Sequence, residues 1–328
     1  MTKQTIYLAL GVSRQAHAAF WKRRAKYEDA MNGAESQLNL LRREHPGLGL
    51  QKAWSMLRPR HISRNAFCRE MTRRGYALVR KRNYVRVTRS GSYRYPNLIK
   101  ELIINGVNQV WQSDTTYYRI NNSFYYITFI IDVYSRQIVG VHTSKHLLAT
   151  ANIAALESAF RQCGQSDLQG LIFHSDGGSQ YRSRQFVERL RSRGISSSMC
   201  DVALDNAYAE RLNGVIKQEY LDHWQPKDFD QLKRLVNRAV KHYNTKRIHG
   251  RLPLRSSPKA FVAGWRSDQP GYRYALLIKD GQGVNEDLCP TVVKYLPTPG
   301  KYAREGRGQI LPAGVKYLTE EKFKNRRA

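Results

Sequence analysis

An α/β domain built on a mixed five-stranded sheet is predicted for the middle of this chain, and three observations predict it. Residues 111–136 (WQSDTTYYRINNSFYYITFIIDVYSR) read as two antiparallel strands joined at Asn121-Asn122. The second of these, residues 124–131, is a nearly unbroken apolar and aromatic run. Such a run suits a strand covered on both faces, inside a sheet. Further on, strands alternate with helical stretches, which adds parallel neighbours to an antiparallel beginning.

Taken in order, residues 5–24 offer Ser13 as an N-cap for a short helix that buries Ala16, Phe20 and Trp21. This piece is similar to the second half of a helix-turn-helix. Tyr27, Met31, Ala34, Leu38 and Leu41 then recur at helical spacing, a seam that must pack on a neighbour. His45-Pro46-Gly47 breaks the helix, and another begins at Leu50. A turn ending in the N-cap Ser63 leads into a helix over 64–74, with Phe67 and Met71 inward and Arg64, Arg69, Arg73 and Arg74 outward. Two helices, a tight turn and an arginine-studded second helix describe a DNA-binding helix-turn-helix. A small bundle with a solvated basic face fits the same pattern.

The core block follows a basic stretch over 82–103. Strands are expected at about 108–118, 123–132, 136–144, 171–174 and 195–200, and helices near 150–162, 182–193, 205–222 and 228–243. Three antiparallel strands and then two separated by helices give the strand order of ribonuclease-H-like folds. The segments are therefore 1–44, a helical, helix-turn-helix-like region; 45–81, a helix-turn-helix; 82–103, a basic linker; 104–265, the α/β core; and 266–328, a basic tail. The tail, rich in Gly and Pro, forms a small β domain or extends loosely.

Composition narrows the partners. With 55 Lys+Arg against 26 Asp+Glu the net charge is +29, while 41% of residues are hydrophobic. That combination indicates a folded binder of polyanions. Residues 51–100 hold 14 Lys+Arg, the single acid Glu70, and tyrosines between them, as a segment tracking a phosphate backbone does. No run of about 18 apolar residues and no secretory leader is found, so no membrane partner and a cytoplasmic location are expected. Cys68, Cys163, Cys200 and Cys289 are scattered without a CxxC pair, which points to free buried thiols.

Three carboxylates stand out. Asp114 lies inside the first strand, where burial without a cation is costly. Asp176 follows the fourth strand in HSDGGSQY, whose paired glycines allow a sharp turn and a close ligand approach. Glu210 falls about one turn into a helix read as capped by Asp205. Displacement at a phosphodiester needs charge neutralised on both the attacking and the leaving oxygen. Two Mg²⁺ ions about 4 Å apart do this, held by hard oxygen ligands from separate elements. Each acid alone is equally a solvated or capping carboxylate, and 26 acids offer many triplets.

The strings WQSDTTY, FIIDVYSRQIVG, HSDGGSQY, LDNAYAERLNGVIKQE and HYNTKRIHGRLPLRSSP, in this order, resemble the integrase-like catalytic domain of bacterial insertion-sequence transposases, and most closely the second-frame product of the IS-three family. The resemblance spans roughly residues 38–265 and includes the helix-turn-helix. It implies a metal-binding catalytic triad at Asp114, Asp176 and Glu210, loaded with two Mg²⁺ ions for which Mn²⁺ can substitute. The family's usual gap between the second and third acids is slightly longer, and the shortening falls in the loop over 199–204. A basic residue seven positions past the glutamate is implied to hold DNA, and Lys217 fills that place. Implied partners are terminal inverted repeats and target DNA, further copies of the chain, and a first-frame protein; a nucleoid-associated location is also implied. The expected activity is nicking at a 3′ end followed by strand transfer. An inactive DNA-binding repressor and a ribonuclease-H-like nuclease are the alternatives. Asp132 reads as structural, His174 as packing, and Tyr243, Asn244 and His249 as packing or DNA contacts. Ser175 and Ser179 lack a His/Asp relay and are not nucleophiles.

Overall fold

The computed structural model describes residues 7, 9, 11–78, 95–163, 168–201, 203–267, 269, 272, 274–278 and 292–293. The chain divides into two compact units, residues 1–82 with 218–223, and residues 83–217 with 224–328.

The first unit is helical. Ser13 accepts a hydrogen bond from the Ala16 amide at 3.0 Å and starts helix α1, Arg14–Glu44. This is one helix of 31 residues, where the sequence suggested a short helix followed by another. No glycine or proline interrupts it near residue 25, so the backbone simply continues. Burial begins only at Met31, with Ala34 and Leu38. Phe20 and Trp21, expected inside, are 48% and 51% exposed, and Ala16 is exposed as well. After a turn at Gly11, the described part of residues 1–44 is thus a long helix whose second half carries the core contacts.

Helices α2 (Leu50–Leu57) and α3 (Arg64–Arg73) complete the unit. Arg58 and His61 take left-handed backbone in the turn, and Ser63 caps α3 as expected. Phe67 and Met71 are fully buried against Met31, Leu38, Leu48 and Ile62. His45, at the end of α1, is buried, bonds to Glu219 at 2.6 Å and stacks on Tyr220.

Arg64, Arg69 and Arg73 are exposed, as their helical positions required. Arg74 is not. Its guanidinium donates to Glu70 at 2.8 Å, Glu28 at 3.1 Å and Asn32 at 2.8 Å, and also to Glu35. Three acids on α1 and α3 surround it, and charge-assisted forks of this kind outcompete water. Its outward reading is corrected accordingly. Hydrogen bonds from Arg73 and Arg74 hold Glu70 down to about 2, and those from Arg74 and Tyr76 also lower Glu35. Because the folded values lie below the unfolded ones, this contribution is complete above about pH 4 and is lost as pH falls through the folded values. Arg74→Ala is expected to lower the denaturation midpoint at pH 7 by a few degrees. The difference from the parent should shrink as the medium is acidified toward pH 2; a difference independent of pH would contradict this origin.

The second unit holds the sheet. Strands β1 (Val110–Ile120) and β2 (Ser123–Asp132) form a hairpin whose register runs from Trp111 opposite Asp132 to Ile120 opposite Ser123. Strand β3 (Ile138–Ser144) pairs antiparallel with β2. Helix α4 (Ala149–Cys163) leads to β4 (Ile172–Ser175), parallel to β1. Helix α5 (Arg184–Arg191) leads to β5 (Ser196–Met199), parallel to β4. The order across the sheet is β3-β2-β1-β4-β5, the ribonuclease-H-like arrangement anticipated from the pattern. Helices α6 (Ala207–Ile216), α7 (Phe229–Thr245) and α8 (Pro258–Arg266) complete the layers.

Two apolar clusters sandwich the sheet. One gathers Trp111, Ile130, Leu156, Phe160, Phe173 and Phe186; the other gathers Val110, Tyr134, Ile172, Phe261 and Leu276. At Gly140 a Cβ would stand 2.5 Å from the Ala155 carbonyl, so α4 reaches β3 only because that position lacks a side chain. Asn244 brackets the Ile138 backbone with two 2.9 Å hydrogen bonds and fixes α7 to β3. Tyr243 and His249 meet edge to face, as packing residues do.

Ile103–Ile104, Ala275–Leu277 and Val292–Val293 make a second, small sheet. Tyr274 is buried and stacks on Tyr134 at 4.4 Å, so this part of the expected tail belongs to the core of its unit. Residues 79–81 of the helix-turn-helix segment, 82–94 of the linker, and 268, 270, 271, 273, 279–291 and 294–328 of the tail lie outside the described residues. Cys68 and Cys163 are half-buried and Cys200 is buried, all three as free thiols, while Cys289 lies outside the described residues. Among the described residues no helix is long and apolar enough to cross a membrane.

Candidate active site

Parallel pairing of β1 and β4 sets Ser113 opposite Ser175. Asp114 and Asp176 each stand one residue further on, at the carboxyl end of β4, where α/β sheets gather ligand-binding groups. Asp176 accepts a hydrogen bond from the Gly178 amide at 3.1 Å. A Cβ at Gly178 would stand 2.9 Å from the Asp176 carboxylate and 2.5 Å from the Gln180 amide, so the glycine leaves room for that carboxylate.

Glu210 arrives on a different element. It occupies the first turn of α6, where a negative charge is stabilised by the helix dipole, and it is exposed. Side-chain amides fasten α6 and the turn before it to β1. Gln112 donates to the Asp205 carbonyl at 2.8 Å and accepts from the Tyr208 amide at 3.1 Å. Asn206 donates to the Ser113 carbonyl at 3.0 Å. Asn213 donates directly to Asp114 Oδ2 at 2.8 Å. All three are buried, and none was singled out from the sequence. The only signal for them is the placing of Asn206 and Asn213 within LDNAYAERLN, four residues before and three after the glutamate. Asp205 is not the helix cap expected; the cap position is Asn206. Asp205 instead accepts from the Asp201 amide at 3.0 Å and the Asn97 side chain at 2.9 Å, which ties down the loop before α6.

Electrostatics link the three acids. Burial, then the charges of Asp176 and Glu210, push Asp114 up to about 7, against the lowering effect of the Thr115 amide and Asn213. Although its residue is exposed, Glu210 is also raised, first by the shielding of its carboxyl from water on the side of its neighbours and then by Asp176. The acids are therefore close enough to feel one another. Yet among the described residues no three His, Cys, Asp or Glu side chains form a closed cage for a metal ion. In kind and sign the donors fit a hard divalent ion, since all are carboxylate oxygens and the mutual repulsion is what such an ion relieves. Beneath Asp114, the buried Tyr181 hydroxyl bonds Ser113 at 2.9 Å and Thr115 at 3.4 Å; burial holds its pKa well above the ordinary phenol value, so it stays neutral.

Lys217 stands at the end of α6, its ammonium 4.8 Å from the centre of the Tyr117 ring. A wider, π-type turn begins there and runs to Leu221, a feature frequent at functional sites. Asp132, read as structural, is buried and accepts from the amides of Ser135 at 3.1 Å and Asn108 at 3.2 Å, closing the turn between β2 and β3. His174 is buried, bonds Ser198 at 2.9 Å and is pushed down to about 4 by burial, which leaves it a neutral packing group. Ser175 is buried and its hydroxyl faces the Asp176 carbonyl at 3.2 Å.

Comparison with known proteins shows the family. Two integrase core domain models match residues 105–203 and 195–255. The transposase for insertion sequence element IS629 of Shigella sonnei is 30% identical over 233 residues, covering 68% of this chain and 78% of that protein. The transposase for insertion sequence element IS904 of Lactococcus lactis is 33% identical over 193 residues, 57% of this chain and 74% of that protein. Among solved structures, the HTLV-2 integrase catalytic core domain in complex with magnesium is similar at 22% identity and a TM-score of 0.38, over 50% of this chain and 97% of that one. With the integrase core domain seated on this sheet and extended identity to such enzymes, the chain belongs to the insertion-sequence transposases of the DDE integrase superfamily.

Proposed function

We propose that this transposase nicks DNA at the 3′ ends of its own element and joins those ends to a target, with Asp114, Asp176 and Glu210 as its metal-holding acids. The observation that carries the reading is Asp114: its carboxyl is pushed up to about 7, in part by Asp176 and Glu210, which stand on two other elements. Two Mg²⁺ ions held by these acids, with Mn²⁺ as a substitute, would neutralise charge on the attacking and leaving oxygens. The protein's own groups then have distinct tasks. Asn213 orients the Asp114 carboxylate, the Gly178 amide orients that of Asp176, and Lys217 attracts a phosphate near the acids.

Exposed Arg64, Arg69 and Arg73 on α3 supply cations for the terminal inverted repeats. Two ends must meet, so the working species is a homo-oligomer, to which a first-frame protein can add. Such a protein works in the bacterial cytoplasm, on the nucleoid.

The test uses the purified full chain, Mg²⁺ and duplexes carrying the inverted repeats that flank its gene. Nicked 3′ ends and joined products are expected. Preferential cutting of the RNA strand in an RNA–DNA hybrid, with repeat-bearing duplex left intact, would overturn the reading in favour of a ribonuclease.

A further inference from the structure

Tyr181 follows Asp176 along the chain, and the short segment between them is bound to itself. Asp176 accepts from the Gly178 amide at 3.1 Å, and the Gly178 carbonyl accepts from the Tyr181 amide at 3.2 Å. Ser179–Arg182 make one short helical turn. Tyr181 is therefore tied to the Asp176 carboxylate through a compact piece of backbone. Its side chain is buried against Phe173, with ring centres 6.1 Å apart, and against Phe186 at 5.5 Å. Phe173 lies on β4, the strand that delivers Asp176, so the ring is held to that strand as well.

The hydroxyl at the far end of that ring reaches a different strand. Ser113 and Thr115 flank Asp114 on β1, and strand alternation turns their side chains to the face opposite its carboxylate. The Tyr181 hydroxyl lies 2.9 Å from Ser113 Oγ and 3.4 Å from Thr115 Oγ1. Counting protons gives the direction. Ser113 donates its own proton to the Phe129 carbonyl at 2.9 Å, so its oxygen accepts and Tyr181 donates. Tyr181 must keep its proton for this, and burial, then the charges of Asp176 and Asp114, hold its pKa high. Thr115 has other partners in Thr128 at 3.0 Å and Asn152 at 3.3 Å.

We propose that Tyr181 is a positioning residue of the metal site, a strut whose ring and hydroxyl fix the separation of Asp114 from Asp176. The inference rests on the proposed function and adds to it a residue that works from beneath the carboxylates. Pairing of β1 with β4 runs to Ser113 and Ser175, one residue short of both acids. Beyond that point the sheet no longer sets the distance between them, and repulsion between the two charges favours a wider one. A hydrogen bond from the segment of one acid to the flank of the other supplies the constraint. Mg²⁺ depends on such a constraint most, because it demands near-ideal octahedral geometry, whereas Ca²⁺ accepts flexible coordination.

Tyr181→Phe deletes only the hydroxyl. Ser113 keeps the Phe129 carbonyl and Thr115 keeps Thr128 and Asn152, so no buried hydroxyl is stranded. The variant should fold, with a melting temperature within about 4 °C of the parent's. Calorimetric titration of the metal-free full chain with Mg²⁺ and with Ca²⁺ reads the effect. Affinity for Mg²⁺ should fall about tenfold, and that for Ca²⁺ much less. Ser113→Ala removes the acceptor, so combining it with Tyr181→Phe should add little to the loss. In crystals grown with EDTA, the separation of Asp114 from Asp176 should be wider in Tyr181→Phe by about 0.5 Å. An equal fall for both ions, an unchanged Mg²⁺ affinity or an unchanged separation would overturn the strut. Asp114→Asn distinguishes this from the proposed function: if it binds Mg²⁺ as the parent does, the carboxylate assignment fails, and the separation measured without metal still decides the strut.

Discussion

Asp114→Asn is expected to reduce both nicking and strand transfer by at least about a thousandfold, while leaving the protein folded and, without metal, more stable at pH 8. The loss follows from removing a ligand and charge at the point where transition-state charge is neutralised, where single groups carry about 10²–10³ in rate. The gain follows from linkage. In the folded protein Asp114 is raised to about 7, first by burial and then by Asp176 and Glu210. An unfolded aspartate titrates near about 4. A folded value above the unfolded one means that the group's contribution is complete below about pH 4 and is lost as pH rises through about 7. At pH 8 the metal-free parent therefore holds a half-buried charge against two like charges. An asparagine removes that cost, and each ~1 kcal/mol recovered raises the melting temperature by about 2–4 °C in a domain of this size. Thermal unfolding of both proteins in EDTA at pH 5 and pH 8 checks the sign. A parent whose advantage grows with pH would contradict it.

Asn213→Ala should cost about ten- to a hundredfold in apparent metal affinity, the usual penalty for removing a group that orients a metal ligand. The side chain is buried and donates to Asp114 Oδ2 at 2.8 Å, so its loss frees the carboxylate to turn away from its neighbours. Because the defect lies in orientation rather than in charge, raising the Mg²⁺ concentration should recover much of the rate. The measurement is activity against Mg²⁺ concentration for parent and variant. An unchanged midpoint with a lowered plateau would remove Asn213 from this role.

The sheet was legible because its strands follow local rules. The unbroken apolar run of β2 and the alternation of strands with helices after β3 require no knowledge of distant contacts. The three acids were singled out through the resemblance that their surrounding strings carry, since chemistry alone leaves many triplets open. What stayed hidden depends on partners far along the chain. Arg74 looks like any arginine at the end of a basic helix until Glu28 and Glu35, on α1, close around it. Gln112, Asn206 and Asn213 are polar residues of the sort that usually face water, and only the approach of α6 to β1 buries them. Phe20 and Trp21 fit a helical seam, but the apolar core of their unit starts nearly three turns later, at Met31. Local periodicity identifies which face of a helix could pack, and not whether anything lies against it.

The central claim is that Asp114, Asp176 and Glu210, on three separate elements, meet at one divalent-cation site. Anomalous diffraction from crystals of the full chain grown with Mn²⁺ tests it without any assay of activity. Density contacted by carboxylates of Asp114 and Asp176, with Glu210 turned toward it, is the predicted result. Mn²⁺ bound elsewhere, with Glu210 directed away from both aspartates, would contradict the account.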